Sequence, residues 1–207
     1  MDIQENRKEY IFNSFEKGEN MDSKLVWKYI KSDIFRYTGE LTFSSIIRAY
    51  TRIPVVRFQV ALRLRQGGGK YALVGRILWF FNRTKQYVVI PPQTSIGYGL
   101  YIGHGGPIVV NSTAVIGNNV NLSPFTTIGA TGKNPKAATI GDNTYIEPNC
   151  CLVENVIIGK NVTIGAGAVV TKDIPDNATA VGNYAKVINY NDPGKRTHNN
   201  RWEELDE

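Results

Sequence analysis

The sequence predicts a mainly β fold, a parallel β-helical solenoid preceded by an α-helical segment. Three observations predict it. An aliphatic residue returns every six positions through Val110, Ile116, Leu122 and Ile128, and again through Ile140, Ile146, Leu152, Ile158, Ile164 and Val170; Asn134 breaks the series. An upstream set, Ile90, Ile96, Ile102 and Ile108, has the same spacing offset by two residues, so one turn near Val109 absorbs a small insertion. Glycine follows the aliphatic at 97, 103, 117, 129, 141, 159 and 165, and side chains such as Thr94, Val120, Thr144, Cys150 and Ala168 stand four places after it. Period six matches neither a helix nor a simple alternating strand. Short extended segments that turn about every six residues stack as parallel coils, three segments to a coil, each with its aliphatic residue inward. One coil cannot bury its interior alone, so several must stack.

The elements before the solenoid follow helical rules. Residues 1–20 are charged and weakly patterned, and two readings stay open there, a helix around Arg7 to Lys17 or disorder. Ser23 is placed to cap a helix running to Tyr37, with Leu25, Val26, Tyr29, Ile30, Asp33 and Ile34 at helical spacing and Gly39 ending it. A helix from Thr42 to Gln66 breaks at Pro54, and another runs from Lys70 to about Thr84 after the Gly67-Gly68-Gly69 hinge. These helices mix apolar residues with Arg48, Arg52, Arg57, Arg63, Arg65, Lys70 and Arg76. Two readings stay open: they cap the end of the solenoid and pack between subunits, or they touch the inner face of a membrane. The division is 1–87 helical, 88–188 solenoid and 189–207 a polar, mobile tail. The segment between Ile128 and Ile140 lacks its aliphatic and loops out; Lys172 to Asp176 are expected to end the solenoid.

With 207 residues the chain is long enough to bury a core for both parts. A net charge of +6 suits nucleic acid, an anionic membrane surface or a phosphorylated ligand, and no nucleic-acid motif accompanies it. Two adjacent cysteines, Cys150 and Cys151, form no disulfide framework, and the polar amino terminus is no signal peptide, so a cytoplasmic setting is expected. His104 is the sharpest candidate for chemistry. It stands two places after the inward Ile102, at a coil corner facing outward, and an imidazole near neutrality suits a general base. The two histidines of the chain, His104 and His198, allow no three-histidine zinc site in the solenoid, and no metal is expected.

The run Ile102-Gly103-His104-Gly105-Gly106-Pro107-Ile108-Val109-Val110, then Thr127 to Lys133, then the ending Val181-Gly182-Asn183-Tyr184-Ala185-Lys186-Val187-Ile188 resemble the hexapeptide-repeat acyltransferases, in their serine O-acetyltransferase branch. The resemblance implies a left-handed β-helix, a homotrimer, His104 as catalytic base and acetyl-CoA as co-substrate in a groove between subunits. It further implies that Gly129, Ala130, Ala166, Lys172 and Lys186 meet acetyl-CoA, with Asn111 and Asn134 toward the acceptor. The branch carries Asp where this chain has Gly103 and, one coil earlier, Val89, and a second loop His where Asn134 stands. A free amino acid needs charged partners, so the expected acceptor is a sugar hydroxyl of a surface polysaccharide or its lipid-linked precursor. Serine O-acetylation is the rival enzyme reading. A non-catalytic scaffold is the third.

Overall fold

The structure is a computed structural model that describes residues 23–82, 87–132, 136–191 and 200–203. The segment from Arg7 to Lys17, together with Asn134 and His198, lies outside the described residues. Among the described residues four helices come first: α1 (Ser23–Thr38), α2 (Phe43–Arg52), α3 (Pro54–Gln66) and α4 (Gly69–Asn82). Val26, Tyr29, Ile30, Asp33 and Ile34 form the buried stripe of α1, and Gly39, at φ +70°, ends it with an N–H bond to the Phe35 carbonyl. The predicted break falls at Ile53, whose extended backbone closes α2 and opens α3; Pro54 then occupies the first turn, where its missing N–H costs nothing. Among the described helices none is long and apolar enough to cross a membrane.

The repeat becomes three parallel sheets, one per face of a triangular prism. Face one holds β1 (Val88–Val89), β4 (Ile108–Val110), β7 (Thr126–Gly129), β10 (Cys151–Val153) and β13 (Val169–Val170). Face two holds β2 (Ser95–Ile96), β5 (Val115–Ile116), β8 (Thr139–Ile140) and β11 (Ile157–Ile158). Face three holds β3 (Tyr101–Ile102), β6 (Asn121–Leu122), β9 (Tyr145–Ile146), β12 (Thr163–Ile164), β14 (Thr179–Val181) and β15 (Lys186–Asn189). In-register pairing stacks the period-six aliphatics into three interior columns, such as Ile96, Ile116, Ile140 and Ile158. All of them are buried. Side chains that meet within a coil and with the coils above and below make the core a stack of local contacts.

Glycine after the aliphatic has a steric cause. A Cβ on Gly141 would stand 2.7 Å from the backbone of Gly159 in the next coil, closer than real Cβ atoms come. Gly141→Ala is expected to destabilise the fold by about 1–3 kcal/mol, read from denaturant unfolding, because the coils must part to admit the methyl.

Three expectations are corrected. The two-residue insertion lies in residues 103–107, before β4, since Ile108 through Val110 already stand in regular register with Thr126 through Ile128. Lys172 to Asp176 shorten a coil rather than end the solenoid: Ile174 still turns inward and bridges Ile158, and β14 pairs with β12 before an antiparallel hairpin with β15 closes the stack. The tail is docked at Trp202. Its ring lies 5.4 Å from that of Phe35, edge to face, and the Asn119 side-chain amide pairs with its backbone N–H and carbonyl at 3.0 and 2.9 Å. A large aromatic with both backbone groups satisfied holds even in a polar tail.

Candidate active site

The first coil has no coil above it, so its backbone groups need other partners. Helices α1 and α3 supply them. Arg63, wholly buried, donates to the Ile96 and Gly97 carbonyls at 2.9 and 2.6 Å while its Nε and Nη2 form a two-pronged pair with Asp33 at 2.8 and 3.1 Å. Asp33 also accepts from the Leu100 N–H, Ser32 from the Gly99 N–H, and Gln59 donates to the Leu100 carbonyl. Arg36, equally buried, donates to the Gly99 carbonyl and to Asn121 Oδ1. Burial pushes its guanidinium down to about 10, which leaves it charged at neutrality. Tyr37 completes the clasp: its hydroxyl accepts from the Ile102 N–H at 2.9 Å and shares its proton with the Ile102 carbonyl and Gln59. Burial raises that phenol well above its ordinary value, so it stays protonated and able to donate.

His104 begins two residues beyond that clasp. It is exposed and left-handed at φ +58°, followed by Gly105 at +64° and Gly106 at +88°. Three successive left-handed residues push the corner outward. Histidine accepts this backbone better than most side chains, and the glycines accept it freely. Among the described residues none hydrogen-bonds the imidazole, which leaves both ring nitrogens open for an acceptor.

The predicted site residues fall on two edges of face one. His104 lies on the edge where face three turns into face one, and Ala166 follows down the same edge three coils on. There the Ala166 N–H is held by Glu147 at 3.0 Å. Lys186 starts β15 at the foot of that edge, where the Ala185 N–H bonds the Val169 carbonyl. Asn111, Gly129, Ala130 and Lys172 line the opposite edge, where the strands of face one end. Asn111 Oδ1 is engaged in its own turn by the Thr113 N–H and hydroxyl. A single chain therefore does not bring the two groups together.

Sequence reasoning missed the clasp. Its signal was polar residues on the buried stripes: Ser32, Asp33, Arg36 and Tyr37 in α1, with Gln59 and Arg63 one turn apart in α3. It also missed two exposed aromatics on the edge of His104, Tyr87 and Phe125, both left-handed at φ +54° and +63°.

The description "Bacterial transferase hexapeptide (six repeats)" fits residues 137–172. A serine acetyltransferase of Helicobacter pylori is 34% identical over 121 residues, covering 58% of this chain and 71% of that protein. The chain belongs to the serine acetyltransferase family of hexapeptide-repeat transferases. Serine acetyltransferase 3 of Arabidopsis thaliana is 42% identical over 109 residues, 52% of this chain and 28% of that protein. The soybean serine acetyltransferase complexed with serine superposes with a TM-score of 0.65 at 28% identity, covering 86% of this chain and 72% of that one. The solenoid is thus the left-handed β-helix of that family. Across the first curated relatives the chain spans 28% to 56% of their length.

These relatives overturn the sugar-acceptor expectation: they are serine acetyltransferases, and the soybean protein was solved with serine bound. The expectation leaned on the charged residues missing at Gly103, Val89 and Asn134. Val89 faces outward from face one, paired with Val109.

Proposed function

We propose that this chain is an acetyl-CoA-dependent O-acetyltransferase whose acceptor is L-serine. The observation that carries the reading is the exposed His104 on its lengthened corner, in a chain whose relatives are serine acetyltransferases. His104 takes the proton of the serine hydroxyl as that oxygen adds to the thioester carbonyl, and returns it to the departing thiolate. The products are O-acetylserine and free CoA.

The assembly is a homotrimer. The outer side of face one carries Val89, Val109, Thr127, Cys151 and Val169 in register, an uncharged, largely apolar ladder with Val89 and Val109 half-exposed. Three copies that turn this face to a common axis set the His104 edge of one beside the Gly129 edge of the next. That arrangement unites His104, Ala166 and Lys186 with a neighbour's Gly129, Ala130 and Lys172, which stay apart in one chain. Glycine and alanine permit a long thioester arm to approach the backbone, and lysines suit its phosphates.

The test is release of free CoA thiol from acetyl-CoA with L-serine, against no acceptor and a panel of sugars. Serine-dependent release is expected. Release with no acceptor preference would sink the reading, and absence of acetyl-CoA binding by calorimetry would favour a non-catalytic scaffold.

A further inference from the structure

Register defines a row of equivalent positions down the His104 edge. Val88 pairs with Ile108 and Ile108 with Thr126, while Thr127 pairs with Cys151 and Cys151 with Val169. The residues just before them, Tyr87, Pro107, Phe125, Asn149 and Gly167, occupy one place in successive coils. Four of the five are left-handed, Asn149 at φ +62° and Gly167 at +74° being the residue types that accept such a backbone cheaply. Tyr87 and Phe125 do not. They flank the coil of His104, one before and one after, at about 10 Å from each other by two inter-strand spacings. Tyr87 is 72% and Phe125 60% exposed, and neither ring stacks on another among the described residues. Two bulky aromatics are thus held in strained backbone, out of the core, on either side of the proposed base. Strain of this kind persists where it serves a site.

A free amino acid brings an ammonium to this corner, and Gly103 offers no carboxylate to meet it. Among the described residues of this edge the one carboxylate is Glu147, two coils beyond Gly103 and engaged with the Ala166 N–H, and on the Gly129 edge that a neighbour brings, Glu154 and Asp173 are engaged by the Thr131 hydroxyl and the Ile157 N–H. Aromatic faces supply the alternative chemistry, since the ring quadrupole attracts a cation. Resting on the serine reading above, we propose that Tyr87 and Phe125 form an aromatic jaw that receives the ammonium of the acceptor and sets its specificity.

The test compares Tyr87→Asn and Phe125→Asn with wild type, Asn being what the equivalent place carries at 149. The expected result is a serine KM raised about 3- to 30-fold, with the acetyl-CoA KM unchanged. The preference for L-serine over 3-hydroxypropionate, which has the hydroxyl and carboxylate but no ammonium, should fall by the same factor. Tm should hold or rise, because Asn relieves the strained backbone, and the mass by sedimentation should stay that of wild type. An unchanged serine KM, an equal loss with both acceptors, a fall in Tm or a change of mass would each overturn the jaw. Absence of serine turnover by wild type itself would overturn the function with it. Wild-type turnover with unaffected variants removes the jaw alone.

Discussion

His104→Asn lowers kcat/KM for serine acetylation by about 10²- to 10⁴-fold and leaves the fold intact. The size follows from what is removed: a positioned proton acceptor, and nothing else. The side chain is exposed, makes no hydrogen bond among the described residues, and sits on a corner already pushed out of the coil. Asparagine is preferred to alanine as the replacement because it tolerates φ +58°, whereas alanine adds a backbone penalty of about 1–2 kcal/mol that would blur the reading. The measurement is CoA release at saturating acetyl-CoA, with Tm recorded alongside. Full activity in a folded His104→Asn protein would remove the general-base role. Lost activity together with a collapsed Tm would place His104 in the fold instead.

The solenoid was legible because its physics is local. Each interior aliphatic packs within its own coil and against the coils next to it, so a fixed spacing writes the three columns directly into the sequence, and the loop after Ile128 shows as a gap in the series. The insertion was legible in size and misplaced by a few residues, since Ile108 and Val110 both turn inward and spacing alone cannot say which belongs to the ladder. The helical cap was legible as helices and illegible as a clasp. Arg63 counted among the basic residues of an amphipathic face that suits lipid, yet it is buried because its partners are the Ile96 and Gly97 carbonyls. Backbone acceptors left bare by the first coil have no residue letter. The acceptor was misread for a related reason. It was inferred from the charges missing at Gly103, Val89 and Asn134, while the aromatics that register puts on the His104 edge, Tyr87 and Phe125, stand far apart in the sequence.

The clasp sets the largest expected effect on stability. Arg63→Met leaves the Asp33 carboxylate buried with only the Leu100 N–H, and strips the Ile96 and Gly97 carbonyls of their partner. Breaking one side of a buried ion pair costs about 3–5 kcal/mol. For a chain of this size that corresponds to a fall in Tm of about 6–20 °C. Asp33→Leu alone should cost a similar amount, because Arg63 then keeps a buried charge beside carbonyl oxygens and the Tyr29 ring with no carboxylate to balance it. The double variant Asp33→Leu/Arg63→Met should lose clearly less than the two singles summed, since the uncompensated charge is gone from both sides. It should still fall below wild type, because the first-coil carbonyls stay bare. Additive losses in the double variant would show that the pair acts only through separate contacts. Activity distinguishes a clasp from a mere brace. Tyr37 holds Ile102 from above, and Asp33 and Arg63 hold the turn that leads into it, so the strand that presents His104 loosens with them. At a temperature where Arg63→Met remains folded, its kcat should therefore fall relative to wild type, as expected when a reacting group shifts by a fraction of an ångström on its scaffold.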